Sequence, residues 1–379
     1  MKKALLIAIL LLMPFGAFAQ EQEEGQPLIE TPVVDSLPIE KYALGKVVEI
    51  LQERKSEAGG YTQLEQEIRV EILTGEEKGQ TVSLVHGGAF VISDDQKVKV
   101  GEKIVLGKTE GAQGVIYFVA ETFRLPWIAA IFLLFVGLVV FFARKKGFGS
   151  ILGLTVSIVV LTLYVVPRIL EGSDPLAASL VGALITAVIS LYFAHGFSKQ
   201  TSIALASTVL TLALATGIAI LFVTVSRLFG LGSEEAYYLR MLQYDSIDLR
   251  GLLLGGIIIG ALGVLDDITS SQTATIFELS KANPELSFPE LYHSGLRVGR
   301  EHIASLVNTL VLAYAGASFP LLLIFTVNKN IPIWATLNSE LVAEEVIRTL
   351  VGSVTLVLAV PIATAIAAYF ASHGAKRPV

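Results

Sequence analysis

Two adjacent acids, Asp266 and Asp267, close a run of fifteen apolar or glycine residues that begins at Gly251, and Ile268-Thr269-Ser270-Ser271 follow them. A helix needs roughly twenty apolar residues to cross a bilayer, so this run either stops short or carries the pair into the membrane's inner half. A carboxylate at that depth costs on the order of 2.5–3.5 kcal/mol on insertion scales and usually faces a protein interior or a water-filled cavity. Adjacent carboxylates in a low dielectric also repel, and taking up a proton or a cation relieves the repulsion. The chemistry implied is reversible binding of a proton or cation while a polar solute moves. The competing reading has both acids capping the inner end of a short helix, with Ser270 and Ser271 opening a loop.

The residues around the pair fit the first reading. At roughly 100° per residue, Gly256, Gly260, Gly263 and Asp267 fall within about 60° of one another, with Asp266 roughly 100° to one side. A glycine groove then leads along the helix to a polar wedge of Asp266, Asp267, Ser270 and Ser271, the glycines serving packing in the first instance. In the next apolar run Glu301, Ser305 and Asn308 share a face at i, i+4 and i+7. Asn308 lies inside that run, where its amide must find a partner: another helix, or one of the two aspartates. We therefore take Asp266, Asp267, Ser270, Asn308 and Glu301 as the candidate ion or substrate site.

These residues must be placed by helices. Of 379 residues 53% are hydrophobic and 16% are charged, well below the quarter usual for soluble domains. Beyond Pro126, seven apolar runs are long enough to span: Trp127–Ala143, Ser150–Val166, Leu176–Ala194, Ile203–Val225, Gly251–Ser270, Ile303–Val327 and Leu350–Ala371. Arg144-Lys145-Lys146, Lys199, Lys281, Arg297, Arg300 and Lys376-Arg377 fall on one side, which the positive-inside tendency makes cytoplasmic. Two loops, Glu234 to Leu249 and Leu341 to Leu350, have the pattern of interfacial helices. The chain has no cysteine, which excludes disulfides and thiolate chemistry, and its net charge of −6 offers no basic surface for nucleic acid.

The N-terminus reads as a secretory leader over 1–19: Lys2-Lys3, an apolar stretch to Pro14, then Ala17-Phe18-Ala19. Residues 20–40 read as a flexible acidic linker. From 41 to 125 the pattern alternates, with strands expected at Lys46–Ile50, Glu67–Leu73, Thr81–Val85, Val98–Val105 and Val115–Glu121. Five short strands favour a small barrel of the OB or SH3-like kind over a two-sheet sandwich. The expected fold is thus an α+β membrane protein, an extracytoplasmic β domain on a seven-helix bundle (126–379) with a cytoplasmic C-terminus. No catalytic residue, metal site or cofactor is read. The zinc-protease, serine-hydrolase and phosphate-loop motifs are absent, and Tyr244-Asp245 with Gly263-Val264-Leu265-Asp266 does not match the spacing of an intramembrane aspartyl protease.

The stretch Gly260–Ile268, the approach Gly295-Leu296-Arg297-Val298-Gly299-Arg300-Glu301 and the stretch Asn308–Gly316 resemble the YibE/F family of multi-pass bacterial membrane proteins. The resemblance covers Trp127 to the C-terminus and implies a permease-like protein with Asp266 as its acid. It departs at Asp267, where the family usually has an apolar residue. The function expected is movement of a small solute or ion coupled to a proton or cation at the acidic site. The alternative is a non-transporting scaffold that presents the β domain to partners. The expected partners are the lipid bilayer and a small solute, cation or proton; homo-oligomerisation is left open.

Overall fold

The computed structural model describes residues 41–58, 61–88, 92–111, 114–241, 247–320, 323, 327 and 331–374. The leader, the acidic linker and Asp245 lie outside the described residues. The chain divides into two compact units, one ending at Ile131 and one running from Phe132.

The first unit is a single five-stranded sheet of β1 (Lys41–Ala58), β2 (Tyr61–Ile72), β3 (Thr81–His86), β4 (Lys103–Gly111) and β5 (Gly114–Thr122). The order is β3-β2-β1-β4-β5 and every pairing is antiparallel. Along β2 every second residue, Leu64, Gln66, Ile68, Val70 and Ile72, is buried, the period-two signature of a sheet with one covered face. Val47, Leu84, Val98, Ile104 and Leu106 complete that core. Irregularities in β1 between Val47 and Glu49 and between Ile50 and Gln52 bend the long strand. The sheet curls into a half-barrel whose outer strands β3 and β5 come into contact.

Three expected strands lie inside observed ones, the second runs one residue past the end of β2, and the fourth is displaced. The ladder begins at Lys103, and Val98 is buried outside it. Its amide donates to Gln66 Oε1 (2.9 Å) and its carbonyl accepts from Gln66 Nε2 (3.3 Å). A side-chain amide thus stands in for a neighbouring strand, which is why glutamine occupies an inward position.

After the sheet the chain forms eight helices among the described residues rather than seven: α1 (Leu125–Leu170), α2 (Pro175–His195), α3 (Lys199–Val225), α4 (Glu234–Met241), α5 (Leu249–Ala282), α6 (Phe288–Ala317), α7 (Ile333–Leu337) and α8 (Glu340–Gly374). The count differs because α1 unites the first two apolar runs, while α4 and α7 are short helices in the connections. Within α1 the helix breaks at Arg144 (φ 51°, ψ −126°), and a π-helical turn covers Leu161–Val165. Five of these helices, α1, α2, α3, α5 and α8, are long and apolar enough to cross a membrane. The sixth run falls on α6 and on residues beyond it, many of them outside the described set.

The segment Leu341–Leu350 forms the first turns of α8 instead of a separate interfacial helix, with Val342 and Glu344 buried. Its acids hold the preceding loop: Glu340 Oε1 accepts from the amides of Phe229 (2.6 Å) and Leu231 (3.3 Å), and Glu344 Oε1 from Gly232 (3.0 Å). Helix α5 is the hub, packed against α2, α3, α6 and α8. Its 34 residues make a rod about 50 Å long, carrying Ile258, Leu262, Leu265 and Ile268 of the central core.

Candidate functional site

Because α5 continues to Ala282, Asp266 and Asp267 sit midway along a helix and cap nothing. The two acids diverge. Asp267 is exposed. Asp266 turns toward α2, where its Oδ2 accepts from Ser190 Oγ at 2.7 Å. Its other oxygen, Oδ1, is buried with no hydrogen-bond partner among the described residues.

A parallel seam between α2 and α5 sets up this contact. A Cβ built on Gly251 would lie 3.2 Å from Pro175 Cδ, and one on Gly255 would overlap Ser179 Oγ and lie 3.0 Å from its Cβ. Ser190 meets Asp266 at the same spacing of 76 positions. One offset links all three pairs, so the helices run parallel and in register. Small residues at Gly251 and Gly255 permit the approach, and the serine–carboxylate bond falls where the seam reaches mid-helix. Behind Ser190 stands α1, where a Cβ on Gly153 would lie 3.3 Å from Ser190 Cα. One turn before Ser190, Thr186 Oγ1 is also buried and unpartnered; it shares the Ser179–Ser190 face by its i+7 and i−4 spacing.

Further polar contacts extend along α5. Thr208 and Thr269 join hydroxyls at 2.6 Å between α3 and α5. Gln272, fully buried, donates from Nε2 to Gly295 O (2.7 Å) and Thr364 Oγ1 (2.8 Å), tying α5 to α6 and α8. Gly295 and Gly299 make room for that tie: a Cβ on Gly295 would lie 2.8 Å from Thr364 Cγ2, and one on Gly299 would overlap Val360 Cγ1 and lie 3.2 Å from Gln272 Nε2.

The remaining candidates are placed elsewhere. Ser270 Oγ donates to the Asp267 carbonyl (3.1 Å). Glu301 and Asn308 are exposed on α6, and no hydrogen bond joins Asn308 to either aspartate among the described residues. Nor do Gly256, Gly260 and Gly263 meet a neighbouring backbone. Gly256 faces Arg348 Nη1 (3.5 Å from a built Cβ), Gly260 faces Tyr314 Oη (3.3 Å), and nothing comes within 4 Å at Gly263. No group of three His, Asp or Glu side chains suited to a metal ion converges among the described residues. At Asp266 the available donors are therefore a carboxylate and hydroxyls. Such a set can hold a proton or a small hard cation.

Sequence reasoning missed Ser190, Gln272, Thr364, Arg348 and Tyr314. None carries a local motif. Ser190 could have been found only by pairing a polar residue of α2 with Asp266 of α5, as their hydrogen bond does.

Residues 131–373, well over half the chain, match the family model of YibE/F-like proteins, and the chain belongs to that family. No curated protein and no solved structure matches it.

Proposed function

We propose that the protein is a permease-like membrane transporter of a small solute, coupled to a proton or cation held at Asp266 between α2 and α5. One observation carries the reading. A carboxylate halfway along a long apolar helix has one oxygen fixed by Ser190 and the other buried without a partner. An ionisable group at such a position is costly and is retained where ions or protons pass. Ser190 orients the carboxylate, while Oδ1 and the Thr186 hydroxyl offer open coordination to the cargo ion. In this reading the apolar helices cross the bilayer, the curled sheet closes as an OB or SH3-like barrel outside, and the C-terminus lies in the cytoplasm. The lysine and arginine asymmetry of the connections supports that orientation.

Two measurements test it. In proteoliposomes loaded with a pH-sensitive dye, a solute panel should include at least one compound whose addition drives a proton or cation flux with the wild type and none with Asp266→Asn. A hydrophobic carbodiimide should modify Asp266 and spare exposed Asp267, as read by mass spectrometry. A scaffold would give no flux with any solute and leave Asp266 unmodified, and that pair of results would sink the proposal.

A further inference from the structure

A second polar cluster lies on the other side of α5. Arg348, the ninth residue of α8, is 29% exposed, and its Nη1 points at the Gly256 face of α5. Glu345 lies 3.4 Å from Nε, but that nitrogen is buried without a hydrogen bond. None of the five guanidinium donors makes a hydrogen bond among the described residues. Tyr314 of α6 reaches the same face one turn on, with its hydroxyl over Gly260, and it too has no hydrogen-bond partner there.

An arginine that merely braces a bundle saturates its fork, because unmet donors in apolar surroundings are expensive. Here the Nε edge is covered by Glu345, and the Nη edge is left over a floor with no side chains. A Cβ added at 256 would meet Arg348 Nη1 at 3.5 Å, and one at 260 would crowd Tyr314 Oη at 3.3 Å, so larger side chains there would press on both donors. The open face continues to Gly263, and by helical spacing to Asp267.

We propose that Arg348 and Tyr314, set over the Gly256–Gly260 face, form an oxyanion subsite for the carboxylate or phosphate group of an anionic solute. A guanidinium edge matches either group through two parallel N–H bonds, and the phenol supplies a third donor. The assignment rests on the transporter reading for its use: it makes the solute an anion, moved with the proton or cation held at Asp266.

The test uses the full chain in neutral detergent. Its melting temperature is followed while sodium phosphate, sulfate or succinate is added, against sodium chloride at equal ionic strength. At least one oxyanion should stabilise saturably beyond chloride. Arg348→Gln should weaken that effect at least tenfold, and Arg348→Lys, which keeps the charge and loses the fork, should fall between. Gly256→Leu fills the floor and should abolish the effect with the arginine intact, so the test stands even if Arg348→Gln does not fold. A second arm compares phosphatidylglycerol with phosphatidylcholine nanodiscs. Competition by phosphatidylglycerol in the wild type but not in Arg348→Gln identifies a lipid headgroup as the source of the oxyanion. Stabilisation no greater than chloride with no lipid dependence, or effects unchanged in both Arg348→Gln and Gly256→Leu, overturns the proposal. Binding is read at equilibrium without flux, so this subsite and the Asp266 site fail separately.

Discussion

Two glycines of the bundle should respond to alanine in opposite directions. At Gly299 a Cβ would overlap Val360 Cγ1, a β-branched side chain with little freedom to turn away, and sit 3.2 Å from Gln272 Nε2. Carbon pairs rest near 3.5–4.0 Å, so α6 must retreat by roughly 1 Å or more. Overpacking of this kind costs about 1–3 kcal/mol. The retreat also stretches the 2.7 Å bond from Gln272 to Gly295 O, adding about 0.6 kcal/mol on the scale of bonds between membrane helices. At Gly263 nothing lies within 4 Å, so alanine meets no obstacle and gains up to about 1 kcal/mol of helix propensity. The two variants should differ by about 2 kcal/mol, more than tenfold in the unfolding equilibrium. The absence of native cysteine supplies the assay. A single cysteine introduced at Ala219, fully buried on α3, reacts with a maleimide only when the bundle opens. Its labelling across an SDS titration should shift to lower SDS for Gly299→Ala and stay or rise for Gly263→Ala. Equal destabilisation by both would refute the packing argument.

Gln272→Leu and Thr364→Val should each lower bundle stability. Their double-mutant cycle should show a coupling of about 0.5–2 kcal/mol, and additivity in the same labelling assay would mean that the 2.8 Å bond contributes nothing. In the β unit, the Lys97 ammonium holds Glu53 and Asp94 below their usual carboxylate values, with Lys55 adding to the shift of Asp94. The support from these lowered carboxylates is complete above their unfolded values of 4.5 and 3.8 and fades as pH falls through the lower folded ones. Lys97 is itself raised, chiefly by Glu53, so its share holds below 10.5 and is lost only as pH rises through the higher folded value. Hydrogen exchange of residues 92–98 in the full chain, corrected for intrinsic rates, should lose protection on acidification below about pH 4. Lys97→Met should remove much of that acid step, and an unchanged acid step in this variant would refute the account. The pairs are exposed, so the effect should be small.

The strands of the β unit, though not their half-open curl, were legible because burial on one face of a sheet leaves a period-two trace in the chain, as in Leu64-x-Gln66-x-Ile68-x-Val70-x-Ile72. It failed locally at Val98, whose apolar neighbours read as strand while its amide is claimed by a distant side chain. The apolar runs likewise located the long helices, and the break within α1 at Arg144 falls directly after the first run, where polar residues interrupt the apolar pattern.

The same bias hid the end of α5 and most of the site. Thr269, Gln272 and Thr273 look like the start of a loop, yet all are fully buried because α3, α6 and α8 surround them. Thr269 bonds to α3, and Gln272 to α6 and α8. Single-helix periodicity says which residues share a face; it cannot say which face of another helix they meet. Asp266 could be picked out as a costly acid, but its partner was fixed by the register of α2 against α5, a property of two helices that neither one encodes alone. Asn308, on a suitable face of the next helix, was the reasonable guess. It was displaced because α6 spends its close approach at Gly295 and Gly299, against Gln272, Thr364 and Val360. The glycines that bring helices together are therefore those facing a backbone or a stiff side chain, whereas Gly256 and Gly260 face the ends of long polar side chains and Gly263 meets nothing within 4 Å.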